Sequence, residues 1–178
     1  MNLPNKVTLL RIFLIPAFVF IYIVQPFGET TNIWLSLILF SLAAITDAID
    51  GYLARKMGLV TNFGKLMDPL ADKLLVSSAL ILFTAAGILP AWATILLISR
   101  EFYISGIRQL ALEQRLVLAA SSGGKIKTIF QMTLIIYILL PFHVLVYDIV
   151  IWILLIVTLV VSVLSAIDYT RKNIAIFK

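Results

Sequence analysis

The chain has no cysteine and a single histidine, His143. The first absence excludes disulfides, zinc–thiolate sites and thiol nucleophiles; the second leaves little material for a histidine-based metal site or triad. Charge is scarce too, with 13% of the 178 residues charged against 62% hydrophobic. A soluble domain carries about 25% charged residues, so this is the composition of an integral membrane protein. No repeat, low-complexity tract or polar linker breaks it, and residues 1–178 read as one membrane-embedded domain. No small-residue cleavage site follows the first apolar run, which reads as a retained span. The net charge of +5 suits anionic lipid or phosphorylated substrates, and nothing in its pattern points to nucleic acid.

What is present is a series of apolar stretches. A spanning helix takes about 20 predominantly apolar residues, and six stretches qualify: 7–25, 32–50, 69–89, 91–111, 126–147 and 149–168. Turn residues separate them: Gln25 to Gly28, Gly51 to Gly64, Gly87 to Pro90, Ser121 to Gly124, and a break at Tyr147-Asp148. The predicted class is an all-α integral membrane protein of six transmembrane helices. Lysine and arginine are absent around 26–33, 85–93 and 141–150. They gather at the N-terminus, around 51–73 and 108–127, and at Arg171, Lys172 and Lys178. This asymmetry predicts both termini on the cytoplasmic side. Arg11 and Lys73 fall a turn inside the membrane, where long basic side chains reach back to the interface. Residues 1–6, with Leu3 and Lys6, suit a short interfacial helix.

Acids are the sharpest feature. The chain has nine, and four lie between positions 47 and 72, in the runs Asp47-x-x-Asp50-Gly51-x-x-Ala54-Arg55 and Gly64-x-x-x-Asp68-x-x-x-Asp72. Ionised carboxylates beside hydrocarbon are costly unless a strong opposite charge compensates them. Spacings of three and four place each pair on one helix face, and the intervening loop returns the chain so that the pairs meet at one depth. Two facing pairs of hard oxygen donors match a pair of Mg²⁺ ions, with Mn²⁺ equally compatible. Gly51 leaves room for a ligand beside the acids. Pro69 fits the first turn of its helix.

Those eight fixed positions resemble the motif of the CDP-alcohol phosphotransferases, a family of six-helix membrane enzymes. Flanking segments are similar to the bacterial phosphatidylglycerophosphate synthases within it: Asn2 to Arg11, Ser99-Arg100-Glu101-Phe102 with Gly106 and Arg108, and Ser121 to Thr128. The resemblance implies transfer of a phosphatidyl group from CDP-diacylglycerol to sn-glycerol 3-phosphate, giving phosphatidylglycerophosphate and CMP. It implies Asp47, Asp50, Asp68 and Asp72 as ligands of two metal ions, with Asp72 the catalytic base. Asp50, Gly51, Ala54, Arg55 and Thr61 would contact the CDP-lipid. It also implies a homodimer, while the lysine and arginine asymmetry puts the aspartate cluster, and with it the active site, on the cytoplasmic face of the cell membrane.

The acceptor's own phosphate calls for fixed cations, and Arg108, Lys125, Lys127 and Arg100 are the candidates. Arg100 is near mid-span and costly there unless it faces a polar cavity or a partner. Its neighbour Glu101 is expected elsewhere on the helix, not as that partner. The last two spans read as packing elements. Rival readings are another acceptor in the same family (inositol phosphate, serine or phosphatidylglycerol) and, from another class, an ion-coupled transporter. Against the transporter, the acids cluster at one membrane face and no inverted repeat is evident.

Overall fold

The computed structural model describes residues 3–57, 62–114, 116, 118, 121–141 and 146–177; within them, the side chains of 3–9, 47–57, 62–69, 72, 175 and 177 are outside the description. Six helices follow one another: α1 (Leu3–Val24), α2 (Glu29–Met57), α3 (Asn62–Ala85), α4 (Ala91–Glu113), α5 (Ser122–Ile138) and α6 (Tyr147–Lys172). A short 3₁₀ turn, Ile174–Phe177, closes the chain, and no strand occurs among the described residues. The segments Glu29–Thr46 and Tyr147–Lys172 are long and apolar enough to cross a membrane; Leu10–Val24 and Lys73–Ala85 are shorter apolar stretches.

The chain forms two compact units. In the first (residues 1–86 with 139–142), α1 packs against α2 and α3. Its core comes from apolar residues three or four apart: Ile15 and Phe18 on α1, Phe40 and Ala43 on α2, and Ala71, Leu75, Ala79 and Phe83 on α3. That spacing lines one face of each helix. Phe18 meets Phe40 at 5.7 Å between ring centroids, and Tyr22 meets Phe83 edge-on at 5.8 Å. Gly28 turns the chain between α1 and α2 at φ 88°, a conformation natural to glycine. Buried Asn32 fastens this turn, accepting from the Phe27 amide at 3.3 Å and donating to the Gly28 carbonyl at 2.6 Å.

Arg11 departs from the snorkelling expected of it. It is 0% exposed, because it stands four residues before Ile15 and seven before Phe18, on the buried stripe of α1. Lys73 is half-buried. Residues 3–6 are the first residues of α1 itself.

In the second unit (residues 87–138 with 143–178), α5 and α6 form an antiparallel hairpin and α4 packs on α6. Two contacts set the register. A Cβ added to Gly123 would stand 3.0 Å from the Ser165 Cβ. At the other end, the Tyr147 hydroxyl donates to the Ile138 carbonyl at 2.7 Å. Ile104, Ile107 and Ala111 of α4 meet Tyr169 and Ile176 in an apolar cluster.

The break between the last two helices differs from the predicted one. Tyr147 and Asp148 open α6, and α5 already ends at Ile138. Pro141 accounts for the shift: it cannot donate a helical hydrogen bond and disfavours helix in the residue before it. The apolar residues on either side hid that signal.

Candidate active site

The acidic motif lies within helices and not at their ends. Counting from the core stripe of α2, positions 47, 50 and 54 continue the row of Ser36, Phe40 and Ala43 at steps of three and four. On α3, positions 68 and 72 continue the row of Leu75 and Ala79 in the same way. The helix backbones therefore carry both acidic pairs on the faces that lead into the unit's core. At 1.5 Å per residue, the 29 residues of α2 extend about 43 Å, longer than a hydrocarbon layer of about 30 Å. Its final turns, with the motif, can thus reach the polar interface. Pro69 is the eighth residue of α3, not in its first turn. It lacks the N–H that would bond the Lys65 carbonyl. Proline reads as a helix start in sequence, but here the helix begins earlier.

The side chains of Asp47, Asp50, Gly51, Ala54, Arg55, Asp68 and Asp72, and the whole of Thr61, lie outside the described residues. Among the described residues, no group of three or more His, Cys, Asp or Glu is placed to hold a metal. The donor set of the motif is carboxylate alone, in a chain without cysteine. Such donors fit hard divalent cations that also keep water and phosphate as ligands.

The cationic candidates belong to the second unit, where the structure sorts them. Arg100, the tenth residue of α4, donates from Nη1 to Glu101 Oε1 at 3.2 Å and from Nη2 to Ser165 Oγ at 2.9 Å. Ser165 passes its own hydrogen to the Ser162 carbonyl at 2.9 Å. Lys127 of α5, almost wholly buried, forms an ion pair with the same Glu101 Oε1. Two cations from two helices therefore converge on one carboxylate oxygen. Arg108, two helical turns along α4, is exposed; its guanidinium lies 5.7 Å from the Tyr169 ring centroid and its Nε donates to the Tyr169 hydroxyl at 3.3 Å. Lys125 is exposed, on the far side of α5 from Lys127, since two residues turn a helix by about 200°. The structure thus brings Arg100 and Lys127 together and leaves Lys125 apart from them.

Two expectations are corrected here. Glu101 is the partner of Arg100 despite adjacency in sequence, because both side chains are long enough to curl toward each other beside α5. And α6 is more than packing. Thr158, Ser162, Ser165 and Tyr169 form a buried polar row at steps of three and four, and Ser165 and Tyr169 within it meet Arg100 and Arg108. That periodic row was the signal for the missed residues, hidden because serine and threonine are unremarkable in membrane helices.

The chemistry divides accordingly. Clustered carboxylates suit cation binding and proton abstraction; a buried basic pair on polar backing suits a phosphate. Comparison with known proteins identifies the family. Residues 1–164 match a family model described as CDP-alcohol phosphatidyltransferase. The chain is 44% identical to a CDP-diacylglycerol–glycerol-3-phosphate 3-phosphatidyltransferase of Bacillus subtilis (strain 168), over 97% of this chain and 95% of that one. It is 41% identical to a probable phosphatidylglycerophosphate synthase of Mycobacterium tuberculosis (strain CDC 1551 / Oshkosh), over 79% of this chain and 66% of that protein. A Rickettsia bellii (strain RML369-C) protein named as the Bacillus one is also 41% identical, over 74% of this chain and 71% of its own.

Proposed function

The chain belongs to the CDP-alcohol phosphatidyltransferase family, and from that premise we propose that it transfers the phosphatidyl group of CDP-diacylglycerol to sn-glycerol 3-phosphate. The products are phosphatidylglycerophosphate and CMP. The observation that carries the acceptor assignment is the 44% identity, over nearly the full length of both chains, to an enzyme named for this reaction.

In the reaction, the acceptor's primary hydroxyl oxygen bonds to the lipid-bearing phosphorus as the phosphoanhydride bond to CMP breaks. Asp72 receives the hydroxyl proton. Its backbone position, four residues from Asp68 on one face of α3, supports a base beside the other acids. Asp47, Asp50, Asp68 and Asp72 would hold two divalent ions, Mg²⁺ or Mn²⁺. When bound, such ions neutralise the diphosphate and the departing CMP. Asp50, Gly51, Ala54, Arg55 and Thr61 hold the CDP moiety: the glycine and alanine let a nucleotide lie against the helix, and the arginine offers a fork of donors to phosphate. Arg100, Lys127 and Arg108 hold the acceptor's phosphate, with exposed Lys125 adding long-range attraction.

The six helices serve as six membrane spans of one catalytic domain, acyl chains remaining in the bilayer while the head group reacts. The basic segments support cytoplasmic termini and an active site on the cytoplasmic face of the cell membrane. The working assembly is a homodimer, as the family resemblance implies. The deciding experiment gives purified enzyme CDP-diacylglycerol with a panel of acceptors and measures CMP release. Glycerol 3-phosphate with Mg²⁺ is expected to support turnover; equal or faster turnover with inositol phosphate, serine or phosphatidylglycerol would reassign the acceptor.

A further inference from the structure

We propose that Trp92 and Trp152 anchor the second unit in a lipid head-group layer, on the membrane face opposite the helix ends that carry Arg108, Arg171 and Lys172. This rests on the membrane-span reading above.

The side chain's own chemistry is the starting point. Tryptophan joins a broad apolar ring to one N–H donor. It is placed at lowest cost where the ring meets acyl chain and the donor meets ester and phosphate oxygens. The chain has three tryptophans, and the two in this unit stand at helix starts: Trp92 is the second residue of α4 and Trp152 the sixth of α6. Both are exposed, at 55% and 48%, although such large rings would gain most from a core.

The two rings share a depth. Helices α4 and α6 run side by side in the same direction, because Arg100 reaches Ser165, Tyr103 reaches Thr170 and Arg108 reaches Tyr169. Those pairs are offset by 65, 67 and 61 residues. Position 92 is therefore level with positions 153–159, within two turns of Trp152. Helical side chains tilt toward the start of their helix, so both rings lean away from the basic ends.

The outward face of α6 has the length of a hydrocarbon layer. No charged residue lies between Asp148 and Asp168, and Ile149, Ile153, Ile156, Val160, Leu164 and Ile167 are exposed along that stretch. At 1.5 Å per residue the two acids stand about 30 Å apart, as thick as a bilayer core. Trp152 starts one turn inside the Asp148 boundary, and its lean returns the ring to that edge. At the other end Asp168 pairs with exposed Lys172 at 2.8 Å. A stripe of this length, closed by charge at both ends and by indole at one, fits lipid; a second copy of the chain gives no reason for that length. Anchors at the starts of α4 and α6 resist sliding of these helices and so fix the depth of Arg100 and Arg108.

The test places full-length enzyme in vesicles of phosphatidylcholine and phosphatidylglycerol whose acyl chains carry bromine, a contact quencher of indole fluorescence. One vesicle set has bromine near the head group, another near the methyl ends. Trp34→Phe leaves Trp92 and Trp152 as reporters, and the shallow bromine should quench them about twofold or more strongly than the deep one. Equal or stronger quenching by deep bromine would put the rings within the hydrocarbon and overturn the proposal. Quenching by neither would mean that water or a second copy covers them, which overturns it too. If Trp34→Phe does not fold, Trp92→Phe and Trp152→Phe singly give the same answer, each read as loss of shallow-quenched emission. A separate variant, Trp34→Phe/Trp92→Phe/Trp152→Phe/Val160→Trp, isolates the span itself: its single indole, midway along the stripe, should be quenched best by deep bromine. If it is not, the span reading fails and the proposal falls with it; if it is, while Trp92 and Trp152 escape the shallow bromine, the anchors alone fall.

Discussion

The two units arrange their candidate site charges differently. In the first, the acids follow one another closely in sequence, on the continuation of two apolar stripes whose cores are aromatic and alanine-rich. In the second, cations are answered by residues from another helix: the enclosed Lys127 by Glu101 and Arg100 by Ser165, and the exposed Arg108 by Tyr169. The acids need no protein partner if cations from solution complete them. The bases are pre-arranged by protein contacts. A site that recruits its counter-charge can be written in a short motif; a site that builds its own scaffold has to be assembled from distant parts.

Five substitutions press on that contrast. Asp72→Asn should lower turnover by about 10³-fold or more, in line with loss of a general base, while CDP-lipid binding persists. CMP release and CDP-lipid binding on one preparation check this, and near-normal turnover would remove the base from the first unit. Asp47→Asn and Asp68→Asn should shift the Mg²⁺ concentration needed for half-maximal activity steeply upward, by about tenfold or more if one charged ligand contact is worth about 1.5–3 kcal/mol. An unchanged Mg²⁺ titration would mean these acids do not share ions. Lys127→Gln should act on the other substrate, raising the glycerol 3-phosphate KM by about 10–100-fold without moving the Mg²⁺ requirement. If it altered both, the two units would not divide the labour. The smallest effect is expected from Gly123→Ala. Its new methyl would press on Ser165 at 3.0 Å and loosen the α5–α6 hairpin by about 1 kcal/mol. A lowered thermal midpoint with unchanged Mg²⁺ dependence would keep that strain within the second unit.

The first unit was far more legible than the second. Helices α1 to α3 follow the predicted apolar stretches, as α4 does in the second unit, and the shared faces of the acidic pairs at 47–72 follow from spacing alone, because residues three and four apart share a face whatever surrounds them. Two readings there went wrong by the same mechanism. Pro69 was taken as a helix start and Arg11 as a snorkelling charge, since each was judged from local preference while neighbouring helices decided its setting. In the second unit, Lys125 and Lys127 are indistinguishable as letters, yet one is exposed and the other buried. Glu101 was set aside on the sound rule that adjacent residues point apart on a helix; the rule describes Cβ directions and not the ends of long side chains.

The composition and the spacing of acids determined, unaided, a helical chain with apolar stretches suited to a membrane and two carboxylate pairs each on one helix face. Both follow from local facts: lipid excludes charge, and a helix repeats every 3.6 residues. Only the tertiary structure decided which cations are enclosed and what holds them. The Glu101–Lys127 pair bridges 26 residues and the Arg100–Ser165 bond 65, distances over which no helical period carries information. Those contacts exist because α4, α5 and α6 pack together, and packing depends on all three helices at once.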